Sequence, residues 1–282
     1  MKMAPEHWLA IKEDDLVWAT AAPGWQKWVW RPFLSIMGSG ATAFVYNGKF
    51  NPSRYLSLLQ NFKINVLCCT PTEYRMMAKL DNLDQYNLDH LHSAVSAGEP
   101  LNREVVEQFR KHFNLTVRDG YGQTESTLLI GFLKDTEPRP GSMGKAIPGS
   151  RVAVVDDDGN KVDTNVKGNI ALPLDFPGLF KGYFKDEKRT KEAHAGDYYI
   201  TGDLAHIDED GYFWFEGRRD DIIISSGYTI GPFEVEDALT NHEAVKECAV
   251  VASPHPIRGN IVKAFIILKE GYKPSDDSVS YT

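Results

Sequence analysis

"HSAVSAGEPLNREVVEQFRKHFNLTVRDGYG" (residues 92–122) holds one unit of a repeating plan: strand, helix, strand. Its opening "HSAVSAG" (92–98) is small and apolar and runs into a glycine, which reads as a buried strand. "LNREVVEQFRKHF" (101–113) sets Leu101, Val105, Phe109 and Phe113 four residues apart, the spacing of one helical face. "LTV" (115–117) reads as the next strand. The residues Asp119-Gly120-Tyr121-Gly122 are therefore expected where a strand ends and a loop begins, and glycines there let the backbone approach a ligand closely. Taken alone, "RDGYGQTES" (118–126) reads equally well as a surface turn.

The same alternation precedes this unit. "NPSRYLSLLQNF" (51–62) offers Asn51 as a helix N-cap and Pro52 at the first helical position. Tyr55, Leu58, Leu59 and Phe62 are predicted to share its apolar face. "INVLCCT" (64–70) reads as a buried strand, and Pro71 opens the helix "PTEYRMMAKL" (71–80). Strands alternating with helices imply a mostly parallel sheet with helices packed over it. Ligands of such sheets collect at the carboxyl ends of the strands, where "SAGEPL" and "RDGYGQTES" are expected.

After about residue 140 the pattern changes. "RPGSMGKAIPGSRVAVVDDDGNKV" (139–162) is rich in Gly and Pro, and "GNIALPL", "GDYYIT", "LAHIDEDGYFWFEG" and "DDIIISSG" read as short strands broken by turns. Asp210-Gly211 within "DEDGYFWF" marks a hairpin. A last stretch reads as helix "PFEVEDALTNH" followed by strands "VKECAVVAS" and "VKAFIILKEG". The fold class is α/β: a parallel-sheet subdomain, then a β-barrel-like subdomain, then a truncated α+β region.

The chain has 282 residues, 42% hydrophobic and 25% charged, which suits a globular protein with a large core. A formal net charge of −8 argues against non-specific binding to nucleic acid or an anionic membrane. The three cysteines, Cys68, Cys69 and Cys248, lack metal-ligand spacing, and a reducing cytoplasm fits them. No run of 18 apolar residues suggests a membrane span, and the start reads as no signal peptide.

Four stretches carry candidate chemistry. They are Gly98-Glu99-Pro100, the "DGYGQTE" stretch (119–125), Asp203 after Thr201-Gly202 at an expected strand end, and "GRRDDIIISSGYTIGPFEVE" (217–236). Each alone reads as a turn or a solvated charged face. In this order and spacing, "SAGEP…DGYGQTE…TGDLA…GRRDDIIISSGY…GPFEVE" resembles the adenylate-forming superfamily of acyl-CoA synthetases and luciferase-like enzymes. "SAGEPLNREVVEQF" and "ASPHPIRGNIVKAFIILKEG" look most like medium-chain acyl-CoA synthetases, cousins of acetyl-CoA synthetase. The resemblance covers nearly the whole chain.

What the resemblance implies is a two-step ligase using Mg-ATP and CoA on a small carboxylic acid. Residues 1–219 would be part of the adenylation domain and 220–282 a truncated C-terminal lid turning about Asp220. Adenine would lie between Gly98-Glu99-Pro100 and the Tyr121 ring, with Asp119, Gly120, Gly122 and Gln123 around the nucleotide. Thr124 would donate to the α-phosphate and Glu125 would hold Mg²⁺. Asp203 and Arg218 would take the ribose. Ser226, Gly227, Tyr228 and Arg258 would lie along the CoA path. Trp25 sits where the family places an acyl-pocket aromatic, and reads equally as an ordinary core tryptophan.

Three departures accompany the matches. No phosphate loop rich in Thr, Ser and Gly is found, and the family's C-terminal lysine in a "GK" context is not found before Thr282. Thr229 stands where the family usually carries arginine, and a short neutral hydroxyl does not replace a long fixed cation. As an isolated chain, the protein is therefore expected to be impaired in catalysis. The alternative is a non-catalytic nucleotide-binding module of the same fold.

Overall fold

The computed structural model describes residues 4–20, 35–226 and 228–274. The first described strands, β1 (Leu16–Ala19), β2 (Thr42–Phe44), β3 (Val66–Cys69), β4 (Ser93–Ala97) and β5 (Val117–Gly122), pair in the order β2-β1-β3-β4-β5, all parallel. Three helices join them: α1 (Pro52–Asn61), α2 (Pro71–Ala78) and α3 (Arg103–Phe113). Asn51 caps α1 by accepting from the Arg54 amide at 2.9 Å, as its sequence predicts. Thr70 and Glu73 form a reciprocal capping box at the start of α2. The buried face of α1 is Tyr55, Leu56 and Leu59, while Phe62 remains 54% exposed. Phe62 is the C-cap, so the helix ends before the expected stripe does.

Both faces of the parallel sheet are covered, so its strands carry little polar alternation. Adjacent Cys68 and Cys69 show this: Cys69 packs with Leu67, Tyr74 and Phe109 beneath the helices, and Cys68 with Trp8, Val17 and Val66 on the other face.

The sheet does not stop at β5. β6 (Leu128–Gly131) pairs antiparallel with β5, and β7 (Gly144–Ala146), β8 (Ala153–Val155), β9 (Gly168–Pro173), β10 (His194–Ala195), β11 (Tyr198–Ile207) and β12 (Tyr212–Arg218) continue one ladder. Its order beyond β5 is β6-β7-β12-β11-β9-β8, with β10 beside β11. The expected change from parallel to short antiparallel strands is present, and hydrogen bonding runs unbroken across it. A short helix, α4 (Glu187–Glu192), precedes β10.

Two expected boundaries differ. Asp119–Gly122 lies inside β5 rather than in a loop, because β6 supplies a second partner: Gly120 pairs with Ala97 on one side and Gly131 on the other. Asp203 lies within β11 rather than at a strand end. β11 is irregular there: Ile200 pairs with Ala171 and Leu204 with Asn169, so extra residues bulge between them.

The last part is a four-stranded antiparallel sheet, β13 (Ile223–Ser225), β14 (Tyr228–Ile230), β15 (Val245–His255) and β16 (Gly259–Leu268), in the order β14-β13-β16-β15. Helix α5 (Pro232–Thr240) packs on it around Ile223, Leu239 and Val250. Among the described residues no helix is long and apolar enough to cross a membrane.

Candidate functional site

The carboxyl ends of β4 and β5 open into a cleft of about 740 Å³, a size that suits a small-molecule ligand. Gly98-Glu99-Pro100 forms one lip and Asp119 to Gln123 the floor. Asp203, Arg218 and Asp220 enter from β11, from β12 and from the turn that follows it. Phe233 and Glu236 of α5 and Val250 to Ala252 of β15 close the far wall. Phe233 and Glu236 fall inside the candidate stretch 217–236, without a role of their own, and Val250 to Ala252 were not legible as site residues. Nothing in an apolar strand or an amphipathic helix tells which cleft it will border.

At the centre is a carboxylate held by two donors. The Tyr121 hydroxyl donates to Asp203 Oδ2 at 2.5 Å, and Gln123 Nε2 donates to the same oxygen at 2.8 Å. The second oxygen, Oδ1, takes no hydrogen bond from the described residues. Asp203 is only 6% exposed. Burial lifts its carboxyl above the ordinary value, outweighing the Tyr121 hydrogen bond, the Arg218 charge and the Gln123 hydrogen bond, all of which pull it down. The Tyr121 phenol is raised in turn, chiefly by burial and then by the Asp203 charge. Arg218 is the direct cross-strand partner of Asp203 and is exposed at the cleft.

The glycines of β5 have a packing cause of their own. A Cβ on Gly120 would stand 2.6 Å from the Trp8 ring, and one on Gly122 would stand 2.1 Å from the Thr127 carbonyl. Trp8, fully buried, donates its Nε1–H to the Asp119 carbonyl at 3.1 Å. The strand carrying Tyr121 is thus seated on an indole some 110 residues earlier in the chain.

Thr124 and Glu125 follow in the turn after β5. Thr124 is exposed and neither residue lines the cleft. Glu125 Oε1 accepts from the Tyr183 hydroxyl at 3.1 Å. Glu99 accepts from Thr72 Oγ1 at 2.7 Å and from Arg75 at 3.1 Å. Arg75 also donates to Asn102 Oδ1 at 3.0 Å, and Asn102 donates to Asp237 of α5 at 3.3 Å. Lys79 adds a second link by donating to the Lys246 carbonyl.

The residues expected along a CoA path form a separate group. The Ser226 amide donates to the Arg258 carbonyl at 3.1 Å, so the β13–β14 turn meets the β15–β16 turn. Tyr228 is 76% exposed there, and Ser226 and Arg258 are exposed beside it. None of the three lines the cleft around Tyr121. Gly227 and Trp25 lie outside the described residues.

A parallel sheet with a deep cleft at its carboxyl edge, extended by antiparallel strands and faced by a small α+β unit, defines a class. Residues 1–184 match the AMP-binding enzyme family, and residues 234–280 match the AMP-binding enzyme C-terminal domain. The chain belongs to the AMP-binding enzyme family. It is 63% identical to the uncharacterized acyl-CoA ligase YtcI of Bacillus subtilis (strain 168), over 99% of this chain and 53% of that protein. It is 45% identical to the mitochondrial acyl-coenzyme A synthetase ACSM3 of Mus musculus, over 95% of this chain and 47% of that one. The crystal structure of the anthranilate CoA ligase AuaEII in complex with anthranoyl-AMP is similar at a TM-score of 0.89 and 30% identity, covering 98% of this chain and 53% of that chain. The chain spans about half the length of the curated relatives it matches.

Proposed function

We propose that the protein carrying these residues is an AMP-forming acyl-CoA synthetase. It would join a carboxylic acid, ATP and CoA to give acyl-CoA, AMP and pyrophosphate through an acyl-adenylate. The observation that carries this reading is the Tyr121–Asp203–Gln123 cluster on the wall of a nucleotide-sized cleft. A buried carboxylate lining the cleft, with one oxygen pinned and the other without a hydrogen bond from the described residues, suits a pair of ribose hydroxyls. Arg218 beside it supplies a forked donor to the same sugar.

The remaining roles follow from the resemblance of the sequence motifs. Adenine would lie along Gly98-Glu99-Pro100 and over Tyr121, edged by Asp119 and by the narrow backbone at Gly120 and Gly122. Thr124 would donate to the α-phosphate as charge develops on it. Glu125 would hold Mg²⁺. One carboxylate fits that ion, which takes few protein ligands and completes its shell with water and substrate phosphates. Bound there, it would neutralise phosphate charge. Ser226, Gly227, Tyr228 and Arg258 would guide CoA, and Trp25 would border the acyl group. The boundary between adenylation domain and lid is proposed at 219/220, with Asp220 as hinge and a cytoplasmic setting. Nucleic acid is not a proposed partner.

The test is a reaction. Given Mg-ATP, CoA and a panel of short, branched, medium-chain and aromatic acids, a chain extended at both ends to the length of its relatives is expected to release pyrophosphate and form a thioester with at least one, whereas these 282 residues alone are expected to be impaired. Absence of both products across the panel overturns the reading.

A further inference from the structure

A buried phenol with no role above stands between the two carboxylates of the site. Tyr199, on β11, is 2% exposed, and its hydroxyl donates to Gln123 Oε1 at 3.2 Å. The same carboxamide donates through Nε2 to Asp203 Oδ2 at 2.8 Å and to the Thr201 carbonyl at 2.9 Å. The amide orientation follows from its neighbours. Turned over, its oxygen would face a carboxylate and a carbonyl, both acceptors.

On its other side, across the Phe180 ring, stands Tyr183, whose hydroxyl reaches Glu125 Oε1 at 3.1 Å. Phe180 wedges both rings, with centroids 4.9 Å from Tyr183 and 5.4 Å from Tyr199. Burial, then the neighbouring Tyr183 phenol, pushes the Tyr199 phenol far above its ordinary value, so it stays a neutral donor at any physiological pH.

Tyr199 is thus the phenol that holds the oxygen end of the carboxamide whose nitrogen holds Asp203. We propose that Tyr199 is a positioning residue that sets the Gln123 carboxamide against Asp203. Without the phenol, the Gln123 carboxamide keeps only the partners of its nitrogen, and its terminal torsion, which has no strong preference of its own, is less firmly held. Asp203 Oδ2 then loses a fixed donor and its free oxygen loses a fixed direction. This deepens the nucleotide reading and rests on it for its consequence, though not for its geometry.

Tyr199→Phe keeps the ring and removes only the hydroxyl. The first readout needs no ligand: the side-chain amide of Gln123 in ¹⁵N-labelled protein, assigned by comparison with Gln123→Ala. It is expected to be one sharp, slowly exchanging pair in the wild type and to exchange about tenfold faster or more in Tyr199→Phe. The second is calorimetric titration with AMP, where Tyr199→Phe is expected to weaken binding about three- to tenfold. Tyr198→Phe, on the opposite face of β11, should leave it unchanged. Combined with Gln123→Ala, Tyr199→Phe should add little further loss, because both remove the same support. Unchanged Gln123 exchange overturns the positioning claim, and so do fully additive losses in AMP affinity. A wild type that shows the protected amide but binds no AMP upholds the positioning claim and overturns the nucleotide reading instead.

Discussion

At Asp203 burial and hydrogen bonding pull in opposite directions, and burial wins. Its ordinary value is 3.8, and the folded protein holds the proton more tightly than that. The stability Asp203 contributes is therefore fully present below the ordinary value and lost as pH rises through the raised folded one. Asp203→Asn removes the charge while keeping an acceptor for Tyr121 and Gln123. It is expected to raise the melting temperature at pH 7, with the gap over wild type closing as the solution is acidified past the raised value. A gap that is constant with pH contradicts this origin. Gly120 tests the other residue-scale claim. With Trp8 2.6 Å from where a Cβ would stand, Gly120→Ala is expected to destabilise by about 1–3 kcal/mol in denaturant unfolding. Trp8→Leu in the same chain should relieve part of that. Strict additivity of the two would show that the indole is not the obstacle. Sequence reasoning reached Tyr121, Gln123 and Asp203, which do meet. It missed Trp8, Tyr183 and Tyr199, whose only signature is an aromatic among other apolar residues. The contacts that give them meaning span 58 to 111 positions.

Among the elements, β5 and β11 depart from expectation in the same way. Each was legible as a strand, and each runs further than its glycines suggest. A second partner strand keeps Asp119–Gly122 extended despite two glycines, and local sequence carries no sign of that partner. β11 absorbs Gly202 as a bulge, with φ at +81°, and this turns Asp203 toward the cleft. A side chain at 202 meets open space, its nearest neighbour being an Arg218 nitrogen at 3.9 Å, so strain there is purely backbone. Gly202→Ala is expected to cost about 1–2 kcal/mol of stability and to weaken AMP binding by misdirecting Asp203. Unfolding and titration matching wild type would contradict this. The helices were the most legible elements, because the Asn51 cap and Pro71 at the first helical position are written locally.

For the whole molecule, the α/β class and the change of sheet type were legible from where periodicity shifts. The strand order was not, since β12 reaching back to β7 depends on long-range pairing. Residues on the far cleft wall come from the C-terminal sheet and α5, and the Asn102–Asp237 and Lys79–Lys246 contacts hold that unit against α2 and α3. Adenine, ribose and α-phosphate have proposed partners here, while no residue described above is assigned to the β- and γ-phosphates. The most direct measurement is calorimetric titration of AMP and ATP into this chain and its Asp203→Ala variant. AMP is expected to bind, ATP to bind no more tightly, and the variant to lose about 1.5–3 kcal/mol of AMP affinity as a charged hydrogen-bond partner disappears. No AMP binding, ATP binding much tighter than AMP, or equal AMP affinity in wild type and variant would contradict the account.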